Sequence, residues 1–218
     1  MYAPGADPGL RVVHADEALL VLDKPAGLLA VPGRGPDKAD CLSARAQARW
    51  ADALVVHRLD QATSGLMLLA RGARMQRALS MAFAERRVQR DYEALVHGRL
   101  LGDGLDDWQL IDLPLRLDWP HRPRSRVDHA HGKPSRTRWR ALGWDAASDT
   151  TRVALQPITG RSHQLRLHLS ALGHPIVGDA LYGPAGDPAP RLMLHACALG
   201  LAHPLTGDAL DLHSTVPF

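Results

Sequence analysis

Leu54-Val55-Val56-His57-Arg58-Leu59-Asp60-Gln61-Ala62-Thr63-Ser64-Gly65-Leu66-Met67-Leu68-Leu69 sets a largely polar island between two apolar runs. Short runs rich in Val and Leu read as strands, and the island reads as the connection between them. Residues 54–57 and 66–70 are the expected strands. Arg58 and Asp60 then sit two apart at a strand edge, either as a local ion pair or as working groups of a site.

Working outward, residues 10–14 and 18–22 read as two further strands separated by Ala15-Asp16-Glu17. Asp23-Lys24-Pro25-Ala26-Gly27 ends the second with a turn, and residues 31–36 form a loop. Leu42, Ala46, Trp50 and Ala53 recur at helical spacing. Residues 73–86 make an amphipathic helix with Met75, Ala78, Leu79, Ala82 and Phe83 on one stripe; Arg74, Arg77 and Arg86 border it, so some of its basic residues should face solvent. Residues 92–96 alternate like a strand, and residues 102–107 form a turn. Residues 114–134 hold four prolines and little periodicity, which predicts an ordered basic loop. Residues 137–142 and 151–155 pair across a turn at residues 145–149. Ser162 is placed to cap a helix with Leu165, Leu169 and Leu172 on its apolar face, closed by Gly173. Residues 192–201 form a late strand. Strands and helices alternate irregularly, so the expected class is α+β rather than a doubly wound fold.

Composition narrows the function classes. The 218 residues are 45% hydrophobic and 22% charged, ordinary for a globular chain with a sizeable core. No apolar run approaches the length of a membrane span, and Met1-Tyr2-Ala3-Pro4-Gly5 has neither part of a signal peptide. Two distant cysteines, Cys41 and Cys197, exclude a disulfide framework, so a reducing, cytoplasmic location is expected. Basic residues are 23 Arg against 3 Lys, and acidic residues 20 Asp against 3 Glu. Arginine suits phosphate and base edges, although a GC-rich genome also raises its count. The net charge of +3 hides two basic stretches. Residues 71–90 hold six Arg against Glu85, and residues 116–140 hold seven Arg plus Lys133 against Asp118 and Asp128. The second also carries Trp119, Trp139 and three histidines, a mixture that suits a polyanion with stackable bases; two solvated faces would give the same counts.

Other chemistries lack their spacing. There is no HExxH, and His163 and His168 lie five apart, so no metal is expected. Gly33-Arg34-Gly35-Pro36 and Gly132-Lys133-Pro134-Ser135 both fail as phosphate loops, and Ser64-Gly65 lacks the glycine of a nucleophile elbow. A second polar island remains at residues 157–168, with two Arg, two His, Gln and Ser at a strand-to-helix junction; it is either the start of a surface helix or a place where arginines beside an apolar strand demand a carboxylate or a phosphate.

Together these stretches resemble the RluA family of pseudouridine synthases. Residues 57–66 resemble its HRLDxxTSG motif, and Leu22-Asp23-Lys24-Pro25-Ala26-Gly27-Leu28 its NKPxG segment, with Asp for Asn. Gln89-Arg90-Asp91-Tyr92-Glu93-Ala94 resembles KxYxA, and residues 159–168 resemble TGRxHQLRxH. Residues 173–183 resemble GHPIxGDxxYG, and Arg191-Leu192-Met193-Leu194-His195-Ala196 matches RLxLHA. The motifs run in family order over residues 10–205. The resemblance implies a single catalytic domain over residues 1–218, built on a mixed, mostly antiparallel sheet with flanking helices and loops and without the S4 domain of longer members. Residues 113–134 further resemble the short, dual-specificity branch, which acts on 23S rRNA and the tRNA anticodon stem-loop.

The resemblance also implies roles. Asp60 is the catalytic carboxylate and Arg161 the cation that keeps it ionised. Tyr92 lies against the target uracil, Leu194 packs beneath it, and Arg58 fills the space of the flipped base. His57, Arg166, Arg122 and Arg124 are expected at the substrate, with Arg126 beside them, and His163 is expected to be structural or to contact phosphate. No cofactor is needed, and a monomer is expected. A sibling enzyme confined to rRNA or to tRNA, or a non-catalytic RNA-binding protein on the same scaffold, are the alternatives.

Overall fold

The structure, a computed structural model, describes residues 9–102 and 107–218. The start of the chain and most of the turn expected at residues 102–107 lie outside them. In chain order the elements are β1 (Val12–Ala15), β2 (Leu19–Lys24), α1 (Leu42–Arg49), β3 (Ala53–Val55), β4 (Ser64–Arg71), α2 (Gly72–Ala84), β5 (Gln89–His97), β6 (Gln109–Asp112) and β7 (Leu115–Leu117). There follow β8 (Ser125–Val127), β9 (Arg136–Asp145), β10 (Thr150–Pro157), α3 (Gln164–Ala171), β11 (Leu194–Ala202) and β12 (Ala209–His213). The class is α+β, as the irregular alternation implies. No helix among the described residues is long and apolar enough to cross a membrane.

The chain divides into two compact units, Met1–Arg90 with His195–Pro217, and Asp91–Leu194 with Phe218. In the first, β4 is the hub. One edge pairs antiparallel with β2, from Leu19↔Ala70 to Lys24↔Gly65. The other edge takes two partners: β11 runs parallel to its start at His195↔Ser64 and Ala196↔Gly65, and β3 runs antiparallel to its end at Val55↔Leu69. Both β2 and β4 are apolar without alternation because both faces of each are covered. On one face Leu19, Val21, Leu66, Leu68 and Ala70 meet the α2 stripe of Met75, Leu79 and Ala82, and Leu199 and Leu201 of β11. Each fully buried leucine contributes roughly 1.5–3 kcal/mol. Arg74, Arg77 and Arg86 face solvent.

In the second unit β5, β10, β9 and β6 form an antiparallel array, with β9 and β10 joined by the turn at residues 146–149. Asp145 builds that turn by accepting from Ala147 N at 3.0 Å and Ser148 Oγ at 2.7 Å.

Four expectations are corrected. The helix at residue 42 ends at Arg49, and Ala53 already belongs to β3, because Trp50 is extended. Residues 114–134 are not purely loop: β7 and β8 pair as a hairpin, in strands too short to show an alternating pattern. Ser162 does not cap α3. The cap position is His163, in the left-handed conformation at φ 55 with no side-chain cap bond. Finally, Leu172 is exposed, whereas Gln164, Arg166 and His168 are buried with Leu165 and Leu169. The helix is thus buried on its polar side as well, which an apolar stripe cannot reveal.

Candidate active site

The connection carrying Arg58 and Asp60 is held at both ends within the first unit. At its start, the His57 ring stacks on Phe83, with centroids 4.5 Å apart. Leu68 N donates to His57 Nε2 at 2.9 Å. The ring therefore extends the hydrogen bonding of β3 by one further position along the edge of β4. An acceptor nitrogen must be unprotonated, and burial together with the Arg90 charge pushes the His57 pKa down to about 3.

After Asp60 the backbone is gripped by Lys24, whose side chain is fully buried. Its Nζ donates to Pro25 O at 2.9 Å, Leu28 O at 2.8 Å and Gln61 O at 3.0 Å. Gln61 O also accepts from Gly27 N at 2.9 Å, and Thr63 N donates to Asp60 O at 3.2 Å. A buried ammonium is tolerated only when its three donors are satisfied, and here carbonyls do that. The Lys-Pro-x-Gly turn and the Asp60 connection are thereby one construction.

Gly65 then lets β4 approach β11. It has φ +110, and a Cβ there would lie 2.3 Å from Ala196 O. A hydrogen-bonded chain runs behind it. Ser64 Oγ lies 2.8 Å from His195 Nδ1, His195 Nε2 lies 3.0 Å from Ser214 Oγ, and Ser214 Oγ donates to Asp23 Oδ2 at 2.7 Å. His195 is 2% exposed, so this chain anchors the strand rather than meeting substrate.

In the second unit Tyr92 is buried on β5, and Arg161 is exposed just ahead of α3. Gln164 fixes that approach. Its Oε1 accepts from Arg161 N at 3.0 Å and Thr159 Oγ1 at 2.7 Å, and its Nε2 donates to Arg136 O at 2.9 Å and Thr137 Oγ1 at 3.0 Å. The left-handed His163 turns its Nδ1 to Tyr182 Oη at 2.9 Å, and Tyr182 Oη accepts from Ser125 N at 2.7 Å. The start of α3 and strand β8 are thus joined through one hydroxyl.

Arg166 finds the carboxylate its surroundings demand. It is 4% exposed and binds Asp179 in two bonds of 2.7 and 2.6 Å. Asp179 Oδ1 also accepts from Leu181 N and Tyr182 N. Burial pushes the Asp179 carboxyl up, but Arg166 and these amides outweigh it and hold it below the ordinary value. Both guanidinium contacts to Asp179 are buried within the unit. Arg122, Arg124 and Arg126 are exposed on or beside the β7–β8 hairpin, Arg126 sharing Asp128 with Arg116. Leu194 is buried at the start of β11.

Sequence reasoning singled out Asp60, Tyr92, Arg161, Arg58, His57, Leu194, Arg166, Arg122 and Arg124. It passed over Lys24, Ser64, Gln164, Asp179 and His195 as holders of these segments. The one signal for them was a lysine and an aspartate lying inside apolar or glycine-rich stretches. Among the described residues no group of three or more His, Cys, Asp or Glu is arranged to hold a metal ion.

Residues 18–171 match the family model described as RNA pseudouridylate synthase. A dual-specificity RNA pseudouridine synthase RluA of Escherichia coli K12 is 42% identical over all of this chain and 98% of its own length. The enzyme of that name from Vibrio vulnificus is 44% identical over 93% of this chain and 82% of its own. Among solved structures, human RNA pseudouridylate synthase domain containing 1 matches with a TM-score of 0.79 and 30% identity, covering 99% of this chain and 87% of that one.

Proposed function

Because the chain belongs to the RNA pseudouridylate synthase family, we propose that it isomerises uridine to pseudouridine in both rRNA and tRNA, with Asp60 as the acting carboxylate. The observation that carries the reading is the clamped connection: Lys24 and Gly27 hold Gln61 O, and His57 holds the start. A short peptide fixed at both ends presents one carboxylate with little freedom left to lose on binding.

The reaction breaks N1–C1′, turns the uracil and joins C5 to C1′. The C5 proton goes to solvent and N1 takes one up, so the product is an isomer of the substrate, no electron acceptor is involved, and the chemistry requires no cofactor. A carboxylate can add to C1′, add to the base, or take a ribose proton. All three routes use one anion, unlike the two-carboxylate arrangement of most glycosidases. By motif position, Arg161 is the guanidinium that keeps the carboxylate ionised, Tyr92 the aromatic against uracil, and Leu194 the floor beneath it. Arg58 occupies the place of the flipped base and offsets part of the unstacking cost of a few kcal/mol. His57 and Arg166 position these segments, and Arg122, Arg124 and Arg126 hold phosphates. The relatives' names carry a dual specificity on RNA, and by resemblance the two classes are 23S rRNA and the tRNA anticodon stem-loop. The chain acts as one cytoplasmic, monomeric catalytic domain.

The test is Asp60→Asn with C5-tritiated transcripts of both RNAs. It is expected to bind each transcript as wild type does and to release no tritium. Tritium release at the wild-type rate would remove Asp60 from the reaction.

A further inference from the structure

The turn between β7 and β8 displays a large aromatic ring that the packing of its unit leaves in solvent. Trp119 is 61% exposed. The Arg122 guanidinium lies over the ring, 4.0 Å from its centroid, so a cation covers one face of a ring that is otherwise largely exposed. The turn is rigid. Asp118 N donates to Arg124 O at 2.9 Å, His121 N to Asp118 O at 3.1 Å, and Arg124 N to His121 O at 3.0 Å. Pro120 and Pro123 fix two more backbone torsions. The Ser125 N–H bond to Tyr182 ties the turn to the body of the unit.

The charge around the ring selects the class of ligand. Residues 116–136 carry six basic side chains against two acidic ones. Of the two carboxylates, Asp128 is engaged by Arg126 and by the amides of Ala130 and His131, and Asp118 by His121. An aromatic face on a stiff turn, within a cationic surround, fits a nucleobase with its phosphates alongside. Bases within an intact helix are already stacked and cannot lie on it, whereas bases of a loop can.

We propose that Trp119, capped by Arg122, is a stacking platform for one unpaired nucleobase of the RNA substrate. The assignment rests on the RNA reading above and adds to it a contact that distinguishes looped from helical RNA.

The test measures binding of a labelled tRNA anticodon stem-loop and of a blunt duplex with the same stem, for wild type, Trp119→Ala, Trp119→Phe and Arg124→Gln. Trp119→Ala should weaken stem-loop binding about tenfold and leave duplex binding within about twofold. Its salt slope should match wild type, because no phosphate contact is lost, while Arg124→Gln should lower the slope by about 1. Trp119→Phe keeps an aromatic face and should stay within about threefold of wild type. Abasic substitution along the loop should find one position where wild type loses affinity and Trp119→Ala loses nothing more. Stem-loop binding by Trp119→Ala at the wild-type level would overturn the platform and assign the ring to a protein partner. Equal losses on stem-loop and duplex, or a Trp119→Phe as weak as Trp119→Ala, would overturn it too. A wild-type protein that neither binds nor modifies the stem-loop would instead overturn the RNA reading beneath it.

Discussion

His57→Gln should remove a defined part of the acid sensitivity of this protein. In the folded chain, burial and the Arg90 charge hold the His57 pKa near 3, against 6.5 for a free histidine. A depressed histidine contributes stability that is present above pH 6.5 and is lost as pH falls, because the unfolded chain takes up the proton first. At pH 5 the folded ring is still neutral and the unfolded one is almost fully charged. The loss between pH 7.5 and pH 5 is then RT ln(1 + 10^1.5), about 2 kcal/mol. Glutamine cannot titrate, and its Oε1 reaches the place of Nε2, so it can still accept from Leu68 N. The assay is urea unfolding of both proteins at several pH values. The difference in unfolding free energy between wild type and His57→Gln should shift by about 2 kcal/mol over that interval. His57→Phe separates the two roles of the ring. It keeps the contact with Phe83 but removes the acceptor of the Leu68 N–H, so it should be less stable than His57→Gln by about 1–3 kcal/mol at every pH. A wild-type minus His57→Gln difference that is flat between pH 7.5 and pH 5 would refute the neutral, accepting imidazole.

Three further outcomes follow from single contacts. Asp179→Asn leaves the Arg166 guanidinium buried without its carboxylate and should cost about 3–5 kcal/mol in urea unfolding; a loss below about 1 kcal/mol would contradict the paired geometry. Gly65→Ala puts a methyl 2.3 Å from Ala196 O in a left-handed backbone, so the melting temperature should fall by several degrees, and an unchanged melt would mean that β4 and β11 are not this close. Replacing Arg122, Arg124 and Arg126 together by Gln should weaken RNA binding and reduce its salt slope by up to about 3, whereas an unchanged slope would put the phosphates elsewhere.

Most of the framework was legible because periodicity reports burial. The unbroken apolar runs of β2 and β4 and the α2 stripe each state how many faces are covered. The β7–β8 hairpin was not legible, since three residues carry too little alternation to show, and prolines mask what remains. Strand β12 was missed for a related reason: Leu210 and Leu212 do lie on one face against the core, but two apolar positions are too few to stand out. The start of α3 failed differently. Ser162 is a good capping residue, yet Gln164 ties the preceding turn, and His163 is drawn into a left-handed conformation facing Tyr182. Local propensity lost there to contacts made across the fold.

The same division runs through the candidate site. The charged residues of the Asp60 connection stand out because they interrupt apolar sequence. Their holders do not, because each works over a long separation: Lys24 reaches a carbonyl 37 residues on, Ser64 a histidine 131 residues on, and Ser214 an aspartate 191 residues back. A buried polar group is stable only with its partner in place, so every such holder implies a second position in the chain. One sequence shows the first member of each pair and gives no means of choosing the second. The structure supplies the pairing and changes the standing of Lys24: in composition it is one of three lysines, and in the fold its three hydrogen bonds tie the Asp60 connection to the turn after β2. Lys24→Met keeps the length and removes the charge, leaving Gln61 O, Leu28 O and Pro25 O without that donor. If the clamp presents Asp60, kcat should fall much further than RNA affinity, since what is lost is the placement of the carboxylate rather than a contact with phosphate. A Lys24→Met protein with wild-type kcat would show that the connection holds its shape without the lysine.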